Sequence, residues 1–405
     1  MKQYLLFPPG FSNEAQLLFC AVGVWKDSHG FERIQELLRY NLDWSYIAAI
    51  AEQNKVSQIL HRSLEKAEVN SVPTEFLRSL RENWQFTRQI NMVKTLELMR
   101  ILKLFESHGI DAAPYKGPYL TSLIYEDLGL RPCADLDILV RRRDAVRAKG
   151  ILLSDAYRFA RELDHQEELV FLEKDNEYTF RHKSIPEIVV EIHWGLLSPG
   201  IGKASEIDFV WECARESRLN SIKIHVFPPE TMFLIILLHA GVKHQWAQLR
   251  WISDVARFIR AHPYMDWEEI LHHTKRTGSE AWTFLGLHLA SKLLGVVIPD
   301  KVSREIERER IIHSLAGLVV GRLLRVGCQW PGYSEWLGYV KQYESYENGN
   351  SLWSYVRYLR AVMMPEYADH MFSVSLPRQL SFLRYFRKPI RHLAKNNTRL
   401  FERVR

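Results

Sequence analysis

The sequence predicts an α+β protein, a small mixed sheet between N-terminal and C-terminal helical lobes. Two observations predict it. Helical periodicity and helix punctuation dominate up to about residue 108 and return after residue 228. Between them, short β-branched or alternating runs recur at Ile110 to Tyr115, Asp135 to Val140, Glu177 to Arg181, Glu187 to His193 and Ile222 to Phe227. The expected divisions are therefore 1–108, a helical lobe; 109–227, the core; 228–300, a second helical lobe; and 301–405, a helical extension with a basic tail.

The first lobe opens with helices over Asn13 to Val24 and Phe31 to Tyr40. Asp43 then caps a helical run from Trp44 to Ile50. Glu75 to Phe86 follows Pro73 as another helix, and Met92, Leu96, Met99, Leu102 and Phe105 recur at helical spacing before Gly109. The Met and aromatic positions of this lobe are expected in its core. In the core, Ile110 to Tyr115 reads as a strand, and Pro118 suits the first turn of a helix just after Lys116-Gly117. Asp135 to Val140 is the next strand. Arg141-Arg142-Arg143-Asp144 reads as a solvated turn into a helix from Ala145 to Asp155. Glu177 to Arg181 and Glu187 to His193 form a hairpin about Lys183-Ser184-Ile185-Pro186, which can set the second strand beside Asp135.

Beyond the strand Ile222 to Phe227, Pro228-Pro229-Glu230 opens a helix from Thr231 to His244. On a regular α-helix His239 and His244 stand about 140° apart, so they are expected not to share a metal from one face. Lys243 and His239, four apart, do share a face. Asp266 caps a helix as Asp43 does, and Leu285 to Leu294 ends at Gly295. Arg304 to Val326 and Ser351 to Met364 are helical, around an irregular stretch from Gln329 to Gly349.

Composition narrows the class. Charged residues at 25% and hydrophobic residues at 47% are ordinary for a water-soluble fold. The longest apolar run, Met232 to Leu238, is far short of a membrane span, and Met1 to Pro9 lacks the apolar length of a signal peptide. Four scattered cysteines form no paired motif, which points to a reducing cytoplasm and away from a zinc ribbon. Residues 376–405 hold nine Lys/Arg and one Glu, a net of +8 that leaves the rest of the chain near −2. Such a tail can meet a polyanion or pack as a terminal helix.

The chemistry is concentrated in three acids. Asp135 and Asp137 alternate onto one strand face, where two carboxylates repel unless a cation lies between them. Mg²⁺ is suited to that place, because it takes oxygen ligands and keeps positions for phosphates. Glu191 lies among apolar neighbours in its strand and is costly there unless paired or metal-bound. Pairing with Arg181 or Lys183 would also satisfy it. Two Mg²⁺ ions on these three acids would serve phosphoryl or nucleotidyl transfer. Lys116 and the backbone of Gly117 are placed to hold phosphates.

The run Lys116-Gly117, Arg131, Asp135-Leu136-Asp137-Ile138-Leu139-Val140 and Glu191-Ile192-His193-Trp194 resembles the uncharacterised bacterial nucleotidyltransferase family of the DNA polymerase beta-like superfamily. His239 to Asp254 resembles that family's second-half signature. The resemblance implies Asp135, Asp137 and Glu191 as catalytic metal ligands. It implies Lys116, Gly117, Arg131, His193, His239 and Lys243 on the nucleotide side, with Arg131 making a bidentate phosphate contact. An NTP would donate its NMP to a hydroxyl acceptor and release pyrophosphate. The acceptor is left open among a small molecule, a sugar, a protein side chain and an RNA end. A phosphoryl transferase and a nucleotide-binding scaffold are the rival readings. Each of Asp135→Asn and Asp137→Asn is expected to leave the metal-free protein as stable as before or more so, through relieved repulsion.

Overall fold

Five strands form the expected sheet. They are β1 (Ala112–Pro114), β2 (Leu136–Val140), β3 (Tyr157–Phe159), β4 (Glu177–His182) and β5 (Val189–His193), in the order β1-β2-β5-β4-β3. The computed structural model describes residues 10–23, 28–67, 71–197 and 205–327. By contact density the chain divides into two units, one of 1–162, 177–197 and 204–329, the other of 163–176, 198–203 and 330–405. In the second unit the described residues carry one helix, His165–Lys174, opened by a capping box between Asp164 and Glu167. The basic tail, Cys328 and the expected helix Ser351 to Met364 lie outside the described residues.

In the first unit the sheet is mixed. β2 runs parallel to β5 and antiparallel to β1, and β4 pairs antiparallel with both β5 and β3. β2 is covered on both faces, and Leu136, Ile138, Leu139 and Val140 are fully buried. This explains its nearly continuous apolar sequence. Pro114 sits on the short edge strand β1, where a residue without an N–H is tolerated. β3 was not expected from the sequence, since three residues are too few for a period. The strand Ile222–Val226, β7, does not join this sheet. It pairs with β6 (Arg215–Leu219) as a separate hairpin around Asn220 and Ser221, both at positive φ.

Helices supply the rest of the unit. Asp43 and Asp266 cap helices Trp44–Gln53 and Trp267–Thr277 as expected, accepting from Tyr46 N–H and from Glu268 and Glu269 N–H. Gly295, at φ 65°, ends helix Glu280–Leu294. The expected helix from Arg304 is two helices, Asp300–Arg308 and Arg310–Leu323. The two segments expected on either side of residue 90 are one helix of 34 residues, Thr74–Ser107. Its Leu98, Ile101, Leu102 and Phe105 are buried, each contributing about 1.5–3 kcal/mol of apolar burial. Met92 and Leu96 were expected in the core with them, but they are exposed. The inward face here is set by Asn91, Lys94 and Leu98, so polar residues hold core positions and hydrophobic ones face outward. No described helix is long and apolar enough to cross a membrane.

Candidate active site

The register of the parallel pair builds the site. Asp137 on β2 stands directly beside Glu191 on β5, and Leu139 beside His193. Side chains in register share a face, so Asp137, Glu191 and His193 converge. Across the next pair, Glu177 at the start of β4 stands opposite His193. Asp135 precedes β2 by one residue and belongs to the same alternation as Asp137.

Buried cations neutralise these acids. Lys116 Nζ lies 2.5 Å from Asp137 Oδ1, and both side chains are buried. His193 Nε2 is 3.2 Å from Asp137 Oδ1 and 3.3 Å from Glu191 Oε2. Its Nδ1 is 3.2 Å from Glu177 Oε2, at ion-pair distance but off hydrogen-bond alignment. Lys243 Nζ donates to the same Glu177 oxygen at 3.1 Å. Burial alone would keep His193 neutral, but Glu177, Asp137 and Glu191 together raise it to about 10, so an imidazolium stands among three carboxylates at neutral pH. Burial likewise disfavours charge on Asp137, yet Lys116 and His193 outweigh it and hold that carboxyl below the usual range. For Asp135 the charge of Lys116 is outweighed. Burial, then the charges of Asp137 and Glu191, push it up to about 7.

Glycine is required at the turn facing Asp135. Gly117 has φ 54°, and a Cβ there would stand 2.7 Å from the Asp135 carbonyl oxygen. The Lys116-Gly117 turn and the aspartate strand are therefore in backbone contact, and the helix Gly117–Ile124 starts beside the acids.

A π-helical turn brings His239 and Lys243 to them. The helix expected from Thr231 to His244 is α-helical over Pro229–Leu237 and π-helical over Leu238–Lys243. The wider turn sets residues five apart on one side, so the His239 and His244 rings meet at 4.5 Å between centroids. This corrects the expectation that they lie on different faces, which assumed an unbroken 3.6-residue period. His239 Nδ1 also reaches Lys116 Nζ at 3.4 Å. Burial, then the positive charge of Lys116, holds His239 well below the usual histidine range. His244 stacks on Trp251 and is lowered to about 3, mainly by burial. Both rings are neutral.

Arg131 is elsewhere. Its Nε and Nη2 grip both oxygens of Asp254 at 3.0–3.1 Å, its Nη1 lies 3.6 Å from Cys133 Sγ, and arginine and aspartate are both buried. This corrects the expected bidentate phosphate contact, because the guanidinium fork is already engaged. Asp254, the last residue of the stretch that resembles the family's second-half signature, also accepts from the Tyr125 hydroxyl at 2.8 Å.

Three further residues hold the loop that carries Asp135. Lys94 Nζ donates to the carbonyls of Cys133 and Ala134 at 2.6 and 2.8 Å. Asn91 Nδ2 donates to the Leu128 and Arg131 carbonyls, and Arg250 Nη1 to that of Pro132. The backbone from 131 to 134 is thereby fastened from two helices, Thr74–Ser107 and Leu249–Ala261. Sequence reasoning did not single out Asn91 or Lys94, and no local motif marks them. It also passed over Glu177, which the predicted hairpin could have placed opposite His193. Lys94→Met is expected to leave two loop carbonyls without donors and to cost about 3 kcal/mol of stability in urea unfolding. An unchanged unfolding midpoint would show that the loop does not depend on Lys94.

Asp137, Glu191 and His193 offer ligand atoms within 4.8 Å of one another and could hold a metal ion; they are the one such group among the described residues. The two carboxylates, with Asp135 beside them, suit a hard divalent cation such as Mg²⁺. The imidazole suits it less, and here it is held by acids on both sides.

Comparison with known proteins adds one match. The family model described as an uncharacterised nucleotidyltransferase matches residues 40–295, well over half of the chain. No curated protein matches it.

Proposed function

This chain belongs to the uncharacterised nucleotidyltransferase family, and from that premise we propose that it moves an NMP from an NTP to a hydroxyl acceptor and releases pyrophosphate. The observation that carries the reading is the register of Asp137 beside Glu191, with Asp135 next to them and a glycine-requiring turn packed on the aspartate strand. Asp135, Asp137 and Glu191 would hold Mg²⁺, two ions in the polymerase beta-like form of the reading. When bound, Mg²⁺ supplies positive charge to the triphosphate and acidifies the acceptor hydroxyl.

The chain's own groups then have these roles. Lys116, already at the acids, is within reach of leaving phosphates, and the backbone of Gly117 offers a helix start to the same charge. Lys243 adds a second ammonium on the Glu177 side. His193 is fixed by its acidic neighbours, which suits it to orienting a hydroxyl and not to abstracting its proton. Neutral His239 can exchange a hydrogen bond with Lys116 or with a phosphate oxygen. The reading places the chemistry in the core of 109–227 and its nucleotide contacts partly in the lobe of 228–300. The free thiols Cys20, Cys133 and Cys213 are in keeping with a cytoplasmic location.

The test is incubation of the full chain with each NTP labelled at the α-phosphate, with Mg²⁺ or Mn²⁺, in an extract of the source organism. Label should move to an acceptor in step with pyrophosphate release. Release of nucleoside diphosphate with no transfer of the α-label would replace this reading with phosphoryl transfer. Binding without either product would leave a nucleotide-binding scaffold.

A further inference from the structure

One carboxylate oxygen among the acids serves two cations. Asp137 Oδ1 lies 2.5 Å from Lys116 Nζ and 3.2 Å from His193 Nε2. Asp137 also belongs to the group that could hold a metal ion. The Lys116 and Asp137 side chains are 8% and 1% exposed, so solvent screens the pair little. A Mg²⁺ ion bound at that carboxylate would stand about 2.0–2.1 Å from its ligand oxygen, in the space beside Asp137 that the ammonium contests. Metal and ammonium would then repel at close range with little water between them.

The three cations at the acids differ in what else holds them. His193 is fixed on Asp137, Glu177 and Glu191. Lys243 is bonded to Glu177. Lys116 instead has an uncharged group beside it, since His239 Nδ1 stands 3.4 Å from its Nζ. A neutral imidazole nitrogen can accept from an ammonium. The ammonium also lies 5.0 Å from the centroid of the Tyr115 ring, a contact that does not need Asp137. The flexible four-carbon stem of lysine lets the charge move between such partners. The backbone beneath it stays anchored, because the Gly117 turn packs on the Asp135 carbonyl.

We propose that Lys116 is an exchangeable cation: it occupies Asp137 until a divalent cation takes that carboxylate, and then swings towards His239, where it can meet a phosphate. This role rests on the metal ligation proposed for the acids. It adds that Lys116 serves Asp137 or a phosphate, one at a time, so that metal and triphosphate together release it from the acids.

The test uses the nucleotide-free full chain and Mn²⁺. Lys116→Met should tighten Mn²⁺ binding, followed by electron paramagnetic resonance, by at least about tenfold, the scale on which a group bonded to a metal ligand alters affinity. Lys243→Met is the control for charge alone, since its ammonium acts on Glu191 and Asp137 while bonded to Glu177. Equal tightening in both variants overturns the exchange and leaves a field effect. A crystal structure of the wild-type chain with Mn²⁺ needs no variant to fold. The metal should lie on Asp137, with Lys116 Nζ beyond hydrogen-bond distance of Oδ1. Mn²⁺ on Asp137 with the 2.5 Å contact retained overturns the proposal. Those two outcomes leave the metal ligation standing, whereas Mn²⁺ binding to neither wild type nor variant overturns both.

Discussion

Asp137→Asn is expected to lower nucleotidyl transfer by about a thousandfold or more, the scale of losing a preorganised electrostatic partner of the transition state. It is also expected to destabilise the metal-free protein, against the sequence-based expectation of relieved repulsion. The relief would come from Asp135, but Asp137 is the counter-ion of buried Lys116 and of His193. Removing one member of a buried ion pair leaves the other uncompensated, typically at a cost of about 3–5 kcal/mol. Asp135→Asn should reduce transfer too, yet leave stability level or higher, since its carboxylate form is disfavoured by burial and by Asp137.

The two variants should also separate with pH. The folded-state pKa of Asp137 is lowered, so its stabilisation is present above the unfolded value of about 4 and is lost in acid. That of Asp135 is raised to about 7, so wild type loses stability relative to Asp135→Asn as pH climbs from about 4 to about 7. Thermal melts in chelator across that window read both signs. Near-wild-type turnover in either variant, or equal stability changes in both, would sink the assignment.

Glu191→Gln carries the second large effect, a loss of transfer of about a hundredfold or more, by the same electrostatic reasoning. Its carboxylate stands at the register position beside Asp137, so Mn²⁺ titrated by electron paramagnetic resonance should bind more weakly to the variant. Nucleotide affinity should fall less than in the aspartate variants, since Glu191 lies farther from Lys116-Gly117 along the sheet order. Full Mn²⁺ affinity in Glu191→Gln would remove the third acid from the site. His193→Ala should destabilise the protein, because it takes the imidazolium from between Asp137, Glu191 and Glu177.

The candidate site was legible wherever alternation along one strand decides a face. Asp135 with Asp137, and Glu191 with His193, were each placed by period two alone. The hairpin Glu177 to His193 and the caps at Asp43 and Asp266 were equally local. Legibility ended where a side chain's partner is distant in sequence. Arg131 has the chemistry of a phosphate ligand, and only the approach of Asp254, on a helix more than a hundred residues later, shows its fork engaged. Lys94 resembles a solvated lysine until the loop before Asp135 is laid against it. The π-turn at Leu238–Lys243 changed which histidines meet, because a single wider turn shifts every later residue around the helix axis.

By itself the sequence determined the α+β class, the shared strand faces of the candidate acids and the glycine beside them, because strand alternation, capping and turn chemistry act over a few residues. The tertiary structure decided the parallel pairing that sets Asp137 beside Glu191, the cations that neutralise them, and the outward face of Phe86, Val93 and Leu96. Those depend on which distant surfaces meet. A charge or an apolar side chain has the same local sequence whether its partner comes from the sheet, from another helix or from solvent.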